Sequence, residues 1–92
     1  MISIEQPFTV NRDKFISSGF GDEIMLMNLE TGNYIGLNIV SSDIFRLAEE
    51  KTSAEEIINS LLKTYDVEEE VCRVQVLACI ENMMEKELLI KI

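Results

Sequence analysis

Cys72, Cys79 and the run Glu68-Glu69-Glu70 are the side chains whose types could hold a metal or attack a substrate. None has the neighbours that such chemistry needs. The 92-residue sequence contains no histidine, which removes the commonest general base, the commonest zinc ligand and every Cys–His or Ser–His nucleophilic pair. The two cysteines fall in one helical pattern about two turns, or roughly 10 Å, apart, which is too far for a bridge. Three adjacent glutamates at a helix start point in different directions, whereas a calcium loop alternates its oxygen ligands around a glycine turn. There is also no glycine-rich phosphate loop. These absences predict no catalytic site, no disulfide, no metal and no cofactor.

The chain is short and acidic. Ninety-two residues suffice for one domain, 1–92, with a single core. Eight basic against seventeen acidic residues give a net charge of -9, a field that repels phosphate backbones and anionic lipid. No apolar run approaches the roughly eighteen residues of a membrane helix. The start, Met1-Ile2-Ser3-Ile4-Glu5, has neither the basic region nor the long apolar core of a signal peptide, so the expected location is cytoplasmic. Nucleic acid and membrane are not expected partners.

The elements that must carry any function change period near Asn38. Before it, Lys14 to Ser18, Glu23 to Asn28 and Tyr34 to Leu37 read as three strands, joined by turns at Gly19-Phe20-Gly21-Asp22 and Glu30-Thr31-Gly32-Asn33. The simplest topology is an antiparallel meander. After it, Ile39, Ile44, Phe45, Leu47 and Ala48 mark a helix capped by Asn38 or Ser41 and ending near Lys51. Ser53-Ala54-Glu55-Glu56 has capping-box form and opens a second helix through Tyr65. Asp66 caps a third helix through Lys86, and Leu88 to Ile92 is an extended tail that returns to the sheet or the helices. The expected fold is α+β of winged helix-turn-helix type, a three-stranded antiparallel sheet followed by three helices. Phe8, Phe15, Phe20 and Phe45 read as core or edge packing, and Ile24-Met25-Leu26-Met27 as a buried central strand.

Two surfaces have something left over. In the third helix, Cys72, Val76, Cys79, Ile80 and Met83 share the arc that faces the interior, while Val71, Val74 and Ala78 form a second apolar stripe bordered by Glu81 and Glu85. Such a stripe is either covered by the sheet or open to a partner. The basic or amide residues on this helix, Arg73, Gln75, Asn82 and Lys86, are outnumbered by glutamates, which argues against a DNA-recognition role. The second surface is the third strand, an edge in a meander that carries neither charge nor proline to blunt it. It is either covered by a terminal segment or open to an added strand.

The order of features resembles the PqqD-like family, the recognition elements of ribosomally made, modified peptides. The resemblance runs through Met27-Asn28-Leu29-Glu30-Thr31-Gly32-Asn33-Tyr34-Ile35-Gly36-Leu37-Asn38, then Ile44-Phe45-Arg46-Leu47, Ser53 to Ile57, Leu61 to Val67 and Val76 to Leu89. Within that family it is most similar to the stand-alone leader-binding proteins of lasso-peptide biosynthesis. Phe45 departs from the family's usual tryptophan, and Glu87 from its usual glycine before the final Leu88-Leu89.

The resemblance implies a non-catalytic adaptor that takes up the leader region of a precursor peptide as an extra strand and delivers it to a leader peptidase and a cyclase. Under this implication Tyr34, Ile35, Gly36 and Leu37 supply the edge. Val71, Val74, Leu77 and Ala78 supply the apolar wall, and Arg73 and Glu81 the polar rim. The alternative is a winged-helix docking or regulatory module that meets another protein through the acidic surface, with no affinity for a leader.

Overall fold

The computed structural model describes residues 3–92; Met1 and Ile2, and the side chain of Phe20, lie outside the described residues. Five strands and three helices follow in the order β1 (Phe8–Val10), β2 (Phe15–Phe20), β3 (Glu23–Asn28), β4 (Tyr34–Gly36), α1 (Ile39–Leu47), α2 (Ala54–Thr64), α3 (Glu69–Glu85) and β5 (Leu89–Lys91). The fold is α+β. Strands β2, β3 and β4 form the expected antiparallel sheet in sequence order. A second, two-stranded antiparallel sheet joins β1 to β5. Its first strand has no alternating pattern beyond Phe8-Thr9-Val10, which is too short to signal a strand without its partner.

The meander is set by its turns. Between β2 and β3 only Gly21 and Asp22 remain outside the ladder, and Gly21 adopts φ 62°, the left-handed region that tight hairpins require. Strand β2 therefore runs to Phe20 rather than stopping at Ser18, because a two-residue turn lets pairing continue to its base. In the β3–β4 turn the Asn28 Oδ1 accepts from the amides of Glu30 and Thr31, and Gly32 takes φ 77°.

The helices differ from expectation at their ends. The Asn38 Oδ1 accepts from the Ser41 amide at 2.8 Å and caps α1. The helix closes at Leu47, four residues before the expected Lys51, because the Ala48 carbonyl is taken by the Val10 amide and the Thr9 hydroxyl of β1. The Thr52 amide then donates to Phe8 instead of continuing the helix. Helix α2 opens as read, with the Ser53 hydroxyl accepting from the Glu56 amide. Its Glu56 carboxylate accepts from Thr52.

Helix α3 starts after Glu68 and not at Asp66: residues 66–68 are an extended connection in which Val67 packs against the core. No side-chain hydrogen bond caps it, and Glu69 and Glu70 put two carboxylates in its first turn, at the positive end of the helix dipole. It ends in a Schellman turn. The Leu88 amide donates to Met83 and the Glu87 amide to Met84, with Glu87 at φ 64°.

The core lies between the inner faces of both sheets and the three helices. Phe8, Phe15 and Phe45 are buried in it with Leu26, Ile44, Ile57, Ile80 and Leu88. Strand β3 contributes Ile24 and Leu26, whereas Met25 and Met27 are only half-buried on the sheet's outer face. The expectation of a strand buried on both sides is corrected accordingly, because the helices cover one face of the sheet only. Both cysteines are free thiols.

Candidate functional site

Strand β4 is an edge, and its ladder phase decides which of its groups are free. The Asn28 amide donates to Asn33 and the Leu37 amide to Ile24, both at 2.8 Å, so residues 33, 35 and 37 point their backbone groups at β3. The amides and carbonyls of Tyr34 and Gly36 therefore point outward. No described segment pairs with them: the carboxy-terminal tail, one candidate cover, pairs with β1 instead.

The four strand residues named from the sequence play different parts. Tyr34 is 68% exposed on the sheet's outer face. Ile35 is half-buried on the inner face and packs against the core. Gly36 is exposed, and a Cβ there would meet nothing closer than the Met25 sulfur at 4.0 Å, so no steric need fixes glycine. Leu37 lies just past the strand with its side chain 8% exposed, a core residue whose amide closes the ladder.

The end of β4 is pinned by one hydroxyl. Ser42, fully buried in α1, accepts from the Ile24 amide at 2.8 Å and donates to the Leu37 carbonyl at 3.3 Å. It completes the rung that Ile24 and Leu37 would otherwise close directly. The buried hydroxyl is satisfied in both directions, so the sheet edge and α1 are held as one unit.

Helix α3 carries apolar residues around its whole circumference. Cys72, Val76, Ile80 and Met83 are buried as expected, and the second stripe is open: Val71 is 43% and Val74 61% exposed, with Ala78 exposed between two turns. Cys79 is half-buried and touches Ser41 of α1, sulfur to oxygen 3.2 Å. Because α1 follows directly from β4, this contact identifies the flank of α3 nearest the open edge. Helical phase puts Gln75, Ala78 and Asn82 on that flank.

Leu77, Arg73 and Glu81 fall on the opposite flank, with Met84. Leu77 is half-buried against the core, Arg73 pairs with Glu69 at 3.6 Å, and Glu81 lines a recess against β5. The Ser41–Cys79 contact turns the Gln75 and Asn82 flank of α3 toward α1, the helix that follows β4, with Val71, Val74 and Ala78 on the exposed crest and Arg73, Leu77 and Glu81 beyond it. Gln75 and Asn82 were not among the residues read as wall or rim. The wheel alone does not say which flank turns toward α1, and the Ser41–Cys79 contact does.

At the amino-terminal end of α3 the flank that carries Gln75 borders an apolar recess of about 290 Å³. Val40, Leu61, Tyr65, Val67, Cys72, Gln75 and Val76 line it, and the Tyr65 hydroxyl donates to Asp43 at its rim. That hydrogen bond holds the Tyr65 phenol above its usual range. An open edge, an exposed apolar helix crest and a lipophilic hole at one end are the parts of a groove for an extended peptide. No helix is long and apolar enough to cross a membrane among the described residues.

Comparison with known proteins gives a family and a structural likeness. No curated protein matches the chain. Among solved structures, the protein in "TbiB1 in Complex with the TbiA(beta) Leader Peptide" superimposes with a TM-score of 0.79 at 32% identity, over 88% of this chain and 93% of that one. The family model "Coenzyme PQQ synthesis protein D (PqqD)" matches residues 23–89, from the start of β3 to β5. With well over half of its length matched, from the edge strand through α3, the chain belongs to the PqqD family.

Proposed function

We propose that this chain is a non-catalytic adaptor that binds the leader segment of a ribosomally made precursor peptide. The leader adds as a strand to the outward-facing backbone of Tyr34 and Gly36 and lies against the crest of α3. The observation that carries this reading is the unpaired β4 edge in a chain whose α3 also leaves Val71, Val74 and Ala78 exposed. The likeness to TbiB1, whose structure holds a leader peptide, supports it. We read the arrangement of sheet and helices as winged-helix type, the location as cytoplasmic, and the role as delivery of the bound leader to a leader peptidase and a cyclase.

A free leader is disordered and loses chain entropy on binding, so backbone pairing has to be supplemented by a few buried anchors. The recess beneath Tyr65 and Val40 is shaped for one apolar or aromatic leader side chain. Ile35 forms part of the floor, and Gln75 and Asn82 are placed to bond leader amides. Tethering the leader raises the effective concentration of the attached core peptide at partner enzymes without any new chemistry in this chain.

The test is a fluorescence-anisotropy titration of labelled leader peptides, taken from short open reading frames beside the gene, against the purified chain. Saturable binding by one leader and none by its scrambled sequence is the expected result. Val74→Glu should weaken it at least tenfold with an unchanged fold, since Val74 is mostly exposed. Leu77→Glu, by contrast, should lower stability as well, because Leu77 packs against the core. Flat curves for every leader with folded protein would reject the reading.

A further inference from the structure

Helix α3 has a second open strand edge beside its other flank. Among the described residues strand β5 pairs only with β1, and the bonds from the Ile92 amide to Pro7 and from the Asn11 amide to Leu88 fix its phase. The backbone groups of Ile90 point at β1, and those of Leu89 and Lys91 point away. Next to them lies a recess of about 530 Å³, larger than the one beneath Tyr65, lined by Glu81, Met84 and Glu85 of α3 and by Leu89, Ile90 and Lys91 of β5.

Met84 packs against the core and gives this recess an apolar floor. Glu81 and Glu85 stand one turn apart on its wall, and neither has an ion-pair partner among the described residues. Like charges at that spacing repel each other. Glu87 adds a third carboxylate, already answered by Lys14, so Lys91 is the one cation in the lining. A second copy would bring the same carboxylates and a charge of -9 to this edge, which disfavours self-pairing.

We propose that the β5–α3 recess is a second strand-addition site, and that it takes an extended, basic segment of a partner protein. Main-chain bonds to Leu89 and Lys91 hold the segment. Alternate side chains of an added strand face α3, so lysine or arginine on that face meets Glu81 and Glu85 while an apolar residue between them covers Met84. The two edges lie on opposite flanks of α3, so both can be filled at once. The site stands on its own geometry and does not require that β4 binds a leader.

The experiment uses the full chain, ¹⁵N-labelled, titrated with the blocked peptide Lys-Thr-Leu-Thr-Lys-Thr-Leu. The expected result is saturable shifts at Leu89, Lys91, Met84 and Glu85 with Tyr34 and Gly36 unmoved. Glu81→Gln with Glu85→Gln should weaken binding at least tenfold. Lys91→Pro, which removes an outward amide and no β1 bond, should abolish it in a chain whose spectrum otherwise stays dispersed. The proposal is overturned by an absence of shifts at millimolar peptide, by shifts centred on β4, or by equal binding of the same peptide with glutamate in place of lysine. Broadening at Leu89 and Lys91 that grows with protein concentration alone would also overturn it, by assigning the edge to a second copy.

Discussion

The Ser42 hydroxyl stands in for a backbone group of Leu37 opposite the Ile24 amide, completing the last rung of the β3–β4 ladder from inside α1. Replacing it by alanine leaves a buried amide and a buried carbonyl without partners, a loss of about 1–3 kcal/mol for an unsatisfied buried group. Ser42→Ala should therefore lower Tm by several degrees, at about 4–8 °C per kcal/mol for a domain of this size. It should also loosen the carboxy-terminal end of β4 and so weaken leader binding, whereas Ser42→Thr keeps the hydroxyl. Calorimetry of the two variants checks this, and an alanine variant as stable as the parent would show that the rung carries no weight.

The edge reading makes a position-specific claim about β4. Gly36 sends its amide outward and Ile35 sends its amide to β3. Proline at 36 removes only the outward donor, while proline at 35 breaks the sheet itself. Gly36→Pro should reduce leader affinity at least tenfold with little change in thermal stability, and Ile35→Pro should unfold the sheet. Titrations on both variants, with circular dichroism as the control, separate the two. Undiminished leader binding by Gly36→Pro would mean that the leader does not add to this strand.

Much of this was legible in the sequence because local signals and tertiary context agree there. The turn residues Gly21 and Gly32, the caps Asn38 and Ser53 and the α2 stripe lead to the observed elements within a residue or two. The second stripe of α3 was visible as apolar residues in excess of one core face. What the pattern could not carry was long-range. Helix α1 stops at Leu47 because Thr9 of β1, 39 residues earlier, and its neighbour Val10 take the Ala48 carbonyl, and β1 exists because β5 pairs with it. The flank of α3 that turns toward α1 likewise depends on Cys79 touching Ser41, which no helical wheel contains. Arg73, Leu77 and Glu81, which the family resemblance implies for the groove, lie on the side of α3 away from that contact, and a helical wheel alone does not show which side that is.

Glu87 holds the left-handed position of the α3 Schellman turn, at φ 64°. An L-residue there costs about 1–2 kcal/mol, partly offset because glycine loses more chain entropy on folding. The carboxylate also pairs with Lys14, an exposed and screened contact that contributes little. Glu87→Gly should accordingly stabilise the fold by about 0.5–1 kcal/mol in urea denaturation, and Glu87→Ala should not. Lys14→Gln isolates the ion pair. If Glu87→Gly instead lowers stability by more than Lys14→Gln does, the backbone strain is not the governing effect.

Alkaline stability follows from two contacts with the same sign. The Tyr65 hydroxyl donates to Asp43, and losing its proton would set two anions together, so its phenol is held above the usual value of 10.0. Lys14 is likewise held above 10.5, chiefly by its hydrogen bond to Glu87, with burial acting in the opposite direction. For both groups the folded state keeps its proton longer than the unfolded chain does. Their contribution is therefore fully present below the unfolded values and is lost as pH rises through the raised folded ones. Urea midpoints should owe no change to these groups between pH 7 and about 9, then fall between about 10 and 12. In Tyr65→Phe combined with Lys14→Met, that alkaline fall should be smaller. Because Tyr65 lines the recess at the amino-terminal end of α3, its ionisation should also weaken leader binding in the same window, an effect that Tyr65→Phe would remove. An alkaline fall of equal size in the double variant would place the titrating groups elsewhere.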